Sequence, residues 1–414
     1  MNRRVVVTGT GIVSPVGNNV PDFWKNLLDG VCGIDYIRSI PTDDLPVKVA
    51  GEVKDFNPAD YSIEASFVRK QDRFTVFAVA AAKQAMDEAG LDTSDDGNID
   101  SMRLGVYIGS GIGGFTTQVR ETEKILNEGA KWVSPLMIPT MIANIAAGNV
   151  AMRYNACGPC LPVVTACATS THAIGEAYRA IRHGYADAII AGGTESALLP
   201  LSIAGFANAK ALSRVEDPKR ASLPFNTNRS GFVMAEGAAV LILEEYEHAV
   251  ARGAEIIAEV CGYGNTCDAY HVTAPRPDGM TQAAAMKQAL DEAGYTSDDV
   301  LYINAHGTGT ALNDPAETAA FKLALGDDAY KAHVSSIKGS IGHMLGAAGA
   351  AEAVATVLAL KNGVVPPTIG LNEIAPECDL DYTPNVPVRA PLTVAISDSL
   401  GFGGHNGCVA FRKI

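Results

Sequence analysis

Apolar and polar positions follow two recurring rhythms along the chain. From Val5 the run VVVTGTGIV is apolar but broken by Thr8, Gly9, Thr10 and Gly11, which predicts a first β-strand ending in a glycine turn, not a signal segment. From Ala81 the stretch AAKQAMDEAGLDTSDD sets small and apolar residues at helical spacing and stops at Gly90, the pattern of an amphipathic helix with a glycine C-cap. A short apolar strand and a glycine loop follow, RLGVYIGSGIGG.

The series then repeats. AAMKQALDEAGYTSDD begins at Ala284, and Lys83 through Gly90 is identical to Lys287 through Gly294 except where Met86 meets Leu290. Here too a strand and a glycine loop follow, VLYINAHGTGT. A later pair, GEAYRAIRHG ending at Gly184 and AVATVLALKNG ending at Gly363, shares an apolar-faced helix closing on a basic turn and Gly. Repetition at such long spacing marks a duplicated unit, since solenoid repeats are far shorter. Strands alternate with helices throughout, so the expected fold class is α/β with buried sheets. The link near Gly253 divides the chain into expected units 1–253 and 254–414.

Composition narrows the function. The chain has 414 residues, 47% hydrophobic and 19% charged, with no apolar run of the roughly 20 residues that a membrane span needs. A net charge of −14 argues against nucleic-acid binding but leaves room for an acidic protein partner at a local basic patch. The expected location is the cytoplasm. In that reducing compartment eight scattered cysteines read as free thiols, mostly buried and inert.

Three of them fall within NACGPCLPVVTACATST, residues 155–171. CGPC at Cys157 and Cys160 has dithiol spacing, but a redox site needs a helix at its first cysteine. LPVV follows Cys160 instead, a strand approach, so both read as buried or partly buried loop cysteines. Cys167 differs, because the strand PVVT hands over there to a helix. Free N–H groups and the helix dipole at such a junction favour a thiolate, and flanking alanines admit a carbonyl. A packing cysteine fits the same place, so partners must decide.

The second half offers them. His306 follows the strand VLYI, at the end where active-site loops gather in open α/β sheets, and Thr308 and Thr310 add hydroxyls. VSSIKGSIGHMLGAAGAAEA puts Lys338 and His343 after another strand; a lysine among Ser, Gly and Ala has little reason to be a solvated charge. Metal binding by the histidines lacks an acidic or Cys ligand at usable spacing, so no metal is expected. In SDSLGFGGHNGCVAF, Gly401, Gly403 and Gly404 let N–H groups turn into an oxyanion hole, with Phe402 as the one bulky residue.

Taken in order, TACATS, AGGTES, GFVMAEGAAVLILEE, NAHGTGT, SSIKGSIGHMLGAAG and GFGGHN resemble the elongating β-ketoacyl-acyl-carrier-protein synthases of the thiolase superfamily, over essentially the full length and most of all the type II bacterial enzymes. The resemblance implies a thiolase-like fold, two halves stacked as five layers α-β-α-β-α, and a homodimer. It implies Cys167 as the acylated nucleophile, His306 and His343 as hydrogen-bond donors to a malonyl thioester, and Lys338 as their electrostatic companion. The N–H groups of Cys167 and Phe402 would form the oxyanion hole, and Phe402 a gate. Ile112 falls at an acyl-pocket position, with Thr308, Thr310 and Phe206 as further substrate contacts. The implied reaction is decarboxylative condensation, which needs no metal or organic cofactor, since the phosphopantetheine arrives on the acyl carrier protein. Arg69, Lys70 and Lys210 fall at carrier-docking positions, and Arg73 and Arg214 lie beside them; a solvated helix face explains each singly almost as well.

One departure is His405, where many relatives carry Thr, with consequences expected for pH response or packing. Priming synthases pair His with Asn, and chain-length-factor subunits lack the nucleophile. A degradative thiolase wants a second cysteine ahead of its glycines, whereas Cys408 follows GFGGHNG and Cys378 sits in an acidic loop. A polyketide ketosynthase shares Cys/His/His and stays open. A non-catalytic scaffold is opposed by the intact Cys167, His306, Lys338 and His343.

Overall fold

The computed structural model describes residues 3–414 and builds them around one nine-stranded sheet. Its strands are β1 (Val5–Val13), β2 (Leu104–Gly109), β3 (Ala188–Glu195), β4 (Gly237–Glu245), β5 (Ala258–Cys267), β6 (Leu301–Asn304), β7 (His333–Ser335), β8 (Val394–Gly401) and β9 (His405–Arg412). The helices that position the site are α1 (Arg73–Ala89), α2 (Phe115–Asn127), α3 (Thr169–Arg182), α4 (Pro200–Asn208), α5 (Met280–Ala293), α6 (Asn313–Leu325) and α7 (Ala348–Asn362). The strand order is β2-β3-β4-β1-β5-β9-β8-β6-β7.

Outward from the β1–β5 junction the two halves run alike. β4 and β9 pair antiparallel with β1 and β5, β3 and β8 come next, and β2 and β6 follow in parallel. The counterpart of β7 is the segment at Cys160, which makes a parallel bridge to Val106. Helices α3 and α7 touch each other and strands of both halves, while α1 and α5 lie on strands of their own halves. The layers are therefore α1, sheet, α3 with α7, sheet, α5, the α-β-α-β-α series expected. One detail differs: Val5–Val7 pair with Ala258–Val260, so hydrogen bonds stitch the two sheets into one. A helix buried all round belongs in a core, and α7 is buried from Ala348 to Leu360.

The sequence repeat has a physical cause. Beyond the short junction β1 and β5 part, leaving N–H groups on each free edge that need acceptors. Glu88 and Gln84 of α1 take those of Thr10 and Ile12, at 2.6 and 3.4 Å. Glu292 and Gln288 of α5 take those of Tyr263 and Asn265, at 3.0 and 3.1 Å. The helices can reach because glycines face them. A Cβ on Gly11 would stand 1.9 Å from the Ala81 carbonyl oxygen, and one on Gly264 would stand 1.8 Å from that of Ala285. Both α1 and α5 end on glycines in the left-handed region, Gly90 at φ 63° and Gly294 at φ 65°.

Gly11→Ala should therefore cost about 2–3 kcal/mol, seen as a fall of several degrees in Tm by thermal denaturation. Gly148→Ala, in a helix where an added Cβ meets nothing within 4 Å, should shift stability by no more than about 1 kcal/mol, and upward.

Candidate active site

The chain reaches Cys167 through an abrupt turn. The extended segment after Cys160 ends at Ala166, φ 52°, and a single 3₁₀ turn, Ala166–Ala168, leads into α3. This puts the sulfur on a cavity of about 210 Å³. The loop after β6 brings His306, Thr308 and Thr310 to the same cavity, and the loop after the helical turn Lys338–Ile341 brings His343. The β8–β9 turn contributes Phe402 and Gly404, and Lys210 and Phe232 line it as well. The nucleophile candidate comes from one half and both histidines from the other.

The rings of His306 and His343 stand 5.4 Å apart, nearly perpendicular. Each is held in one tautomer by a donor at Nδ1. His343 Nδ1 accepts the Leu345 N–H at 3.2 Å, and His306 Nδ1 lies 3.4 Å from the Lys338 ammonium. A nitrogen that accepts carries no proton, so both Nε2 atoms carry one. Nε2 of His343 is buried and, among the described residues, has no hydrogen-bond partner. Burial first and Lys338 second hold His343 well below the usual histidine range; the same two causes, with His343 third, do so for His306. Two neutral imidazoles thus present N–H donors.

Lys338 itself is 1% exposed, bonded to the His306 carbonyl and ion-paired with Glu352, which is wholly buried.

The thiol is a correction. The helix terminus was expected to favour a thiolate, yet burial pushes Cys167 up to about 12, against the pull of Lys338 and of a hydrogen bond from the Phe402 N–H. The Glu195 and Glu352 carboxylates add to the rise. Desolvation of the sulfur outweighs the dipole, so the resting nucleophile is a neutral thiol.

The family model of the β-ketoacyl synthase N-terminal domain matches residues 2–249, and that of the β-ketoacyl synthase C-terminal domain matches residues 257–372. The chain is 48% identical to the 3-oxoacyl-[acyl-carrier-protein] synthase 2 of Synechocystis sp., covering 99% of this chain and 98% of that relative. It is 46% identical to the enzyme of that name from Staphylococcus aureus strain N315, covering 100% and 99%. Among solved structures, a type II polyketide acyl carrier protein in complex with its ketosynthase bound to the hexaketide superposes with a TM-score of 0.91 at 35% identity, covering both chains fully. A β-ketoacyl synthase from Burkholderia phymatum gives 0.91 at 34%, again over the full length of both. The chain belongs to the β-ketoacyl synthase family. Like its relatives in that family, it is an acyl-transferring condensing enzyme.

Not every expected residue of this synthase reaches the cavity. Phe206, on α4, sits behind it, its ring 6.2 Å from that of Phe402 and 5.7 Å from that of Phe232. Ile112 is not among the residues lining the Cys167 cavity and is 38% exposed, with its N–H bonded to Glu195. His405 is half-buried beside the cavity, with its ring 6.3 Å from that of His172. Arg69, Lys70 and Lys210 are exposed, and among the described residues none of them forms an ion pair. Arg73 is committed elsewhere, held by Glu236 at 2.9 Å over the Phe77 ring, which removes it from the docking set. Cys157 and Cys160 are both exposed, contrary to expectation, since they lie on the uncovered outer edge beyond β2; Cys267 is exposed too. Among the described residues, Cys167, Cys378 and Cys408 are the buried cysteines.

Carboxylates are what the sequence reading missed. Asp314 and Glu317 of α6 accept the Gly309 and Gly307 N–H groups, at 3.2 and 2.8 Å, and so hold the loop of His306 from behind. Burial, with Asp398 and Asp314 close by, raises Glu317 well above the usual carboxyl range. Glu195 and Glu352 stand alone in runs of Gly, Thr and Ala, the same signal that singled out Lys338.

Alkylation of Cys167 by iodoacetamide should keep accelerating with rising pH beyond about 8.5, where ordinary thiols level off. Site-resolved mass spectrometry reads this at Cys167 against a free cysteine peptide as the reference.

Proposed function

We propose that this cavity performs decarboxylative Claisen condensation in fatty acid elongation, with Cys167 as the acyl carrier and His306 and His343 as donors to the malonyl thioester. The observation that carries the proposal is the pair of neutral Nε2–H imidazoles facing the same cavity as a thiol and the Phe402 N–H. Such donors stabilise an oxyanion or enolate but do not act as strong bases.

In the first step the Cys167 sulfur attacks the acyl thioester on the carrier's phosphopantetheine. The thiol proton ends on the departing phosphopantetheine thiol, so a neutral Cys167 suffices. The N–H groups of Cys167 and Phe402 hold the oxyanion. A malonyl thioester then enters, and its carbonyl oxygen takes hydrogen bonds from Nε2 of His306 and His343. Loss of CO2 leaves an enolate, whose carbon attacks the acyl-Cys167 carbonyl. Collapse of that adduct expels the sulfur, which regains a proton, and releases a chain two carbons longer. Burial and the Lys338 ammonium keep both rings neutral, while Lys338 at His306 Nδ1 and the Leu345 N–H at His343 Nδ1 keep each proton on Nε2. Thr308 and Thr310, their hydroxyls 3.1 Å apart, are placed to meet the pantetheine arm, and Phe402 to gate the acyl pocket with Phe206. The higher identity to the 3-oxoacyl synthases, against 35% to the polyketide ketosynthase complex, favours fatty over polyketide chains.

The carrier is expected to dock on exposed Arg69, Lys70 and Lys210, the last at the cavity itself. A homodimer is supported by the bare outer edge at Cys160–Val164, where Leu161 and Val164 are 54% and 52% exposed. Among the described residues no helix is long and apolar enough to cross a membrane, in keeping with a cytoplasmic enzyme.

Cys167→Gln should abolish condensation yet still release CO2 from malonyl-carrier, whereas His343→Ala should slow that release by about 100-fold. Condensation surviving in Cys167→Gln, or CO2 release unaffected in His343→Ala, would overturn the assignment.

A further inference from the structure

The turn that carries Cys167 has a twin. Before α7 the chain passes through Leu345 at φ 49° and the 3₁₀ turn Leu345–Ala347, as it passes through Ala166 and Ala166–Ala168 before α3. Gly346 occupies the place of Cys167. Its N–H does not face a substrate cavity; it donates to Oε2 of Glu195 at 3.1 Å. Three further donors meet the same carboxylate. The Gly111 N–H reaches Oε2 at 2.8 Å, and Oε1 takes the Ser110 hydroxyl at 2.7 Å and the Ile112 N–H at 3.3 Å.

Glu195 is wholly buried and, among the described residues, has no cationic partner; its charge rests on those four donors, an anion nest made of backbone and hydroxyl groups. A Cβ on Gly346 would stand 2.7 Å from Oε2 and 2.4 Å from the Gly111 nitrogen, so only glycine lets the two segments meet over the carboxylate. The second half's version of the nucleophile turn is thus filled by a side chain from the first.

The nest ties together separate parts of the site. Ser110–Ile112 is the loop after β2, and Leu345, whose N–H sets the tautomer of His343, belongs to the opposing turn. A Cβ on Gly111 would lie 3.7 Å from the Ala166 carbonyl oxygen, so the clamp stands directly behind the nucleophile turn. We propose that Glu195 is a positioning residue that fixes the 110–112 loop against the turns of Cys167 and His343, and thereby sets which acyl lengths the enzyme accepts. The proposal deepens the reading of Ile112 as an acyl-pocket residue and rests on it.

Because every partner donates, Glu195→Gln keeps the shape but brings an NH2 group against an N–H, which should loosen the loop. The test compares kcat/KM for short and long acyl-carriers in the wild type, Glu195→Gln and Ile112→Phe. Glu195→Gln should lose about tenfold or more on long chains while short chains stay within about twofold. An equal loss at every length, or an unchanged profile, would overturn the proposal. A length-dependent Ile112→Phe with a flat Glu195→Gln removes the Glu195 role alone; a flat Ile112→Phe with a length-dependent Glu195→Gln removes Ile112 from the pocket and leaves Glu195 supported. Should Glu195→Gln not fold, Ser110→Ala, which deletes one donor, should show a smaller skew in the same direction, and a flat Ser110→Ala profile would count against the proposal.

Discussion

A buried lysine and one backbone N–H decide how two imidazoles are protonated, and the chemistry of the site follows from that. Lys338 lies at His306 Nδ1 and the Leu345 N–H lies at His343 Nδ1, so each ring offers its proton from Nε2. Charge is kept off the rings by burial and by the ammonium beside them. The ammonium in turn stays in the core because Glu352, the His306 carbonyl and the short turn at Lys338–Ile341 surround it. Remove that arrangement and the rings become free to titrate or to flip tautomer; either change ends their use as paired donors.

Duplication is what allows such a site to be assembled. The two halves share strand order and share the glycine, Gln and Glu contacts that seal the parting sheets. Their buried helices α3 and α7 meet in the middle layer, each entered through a strained 3₁₀ turn. One turn kept a sulfur and an open cavity, while the other kept a glycine and is filled by Glu195. The two turns thus differ where catalysis needs them to, one open to the cavity and one filled.

Much of this was legible in the chain. The repeat around Lys83–Gly90 and Lys287–Gly294 told of two α/β units, and hydrophobic rhythm put Cys167, His306 and Lys338 with His343 at strand ends. Electrostatics was less legible, because it depends on burial that no local pattern states. The dipole argument for a Cys167 thiolate was sound locally and lost to desolvation, leaving a thiol near 12. Arg73 looked like a docking charge until Glu236, far away in sequence, claimed it. Cys157 and Cys160 looked like loop packing until the sheet order left their edge bare. Glu195 and Glu352 went unread although isolated carboxylates in small-residue runs carry the same message as Lys338.

Nitrogen-15 NMR of histidine-labelled enzyme tests the centre of this account most directly, since it reports tautomer and charge at His306 and His343 separately from turnover. The predicted result is two neutral Nε2–H rings that remain uncharged as pH falls through about 6.5, where free histidine titrates. Imidazolium signals appearing near that pH, or Nδ1–H tautomers at either ring, would contradict it.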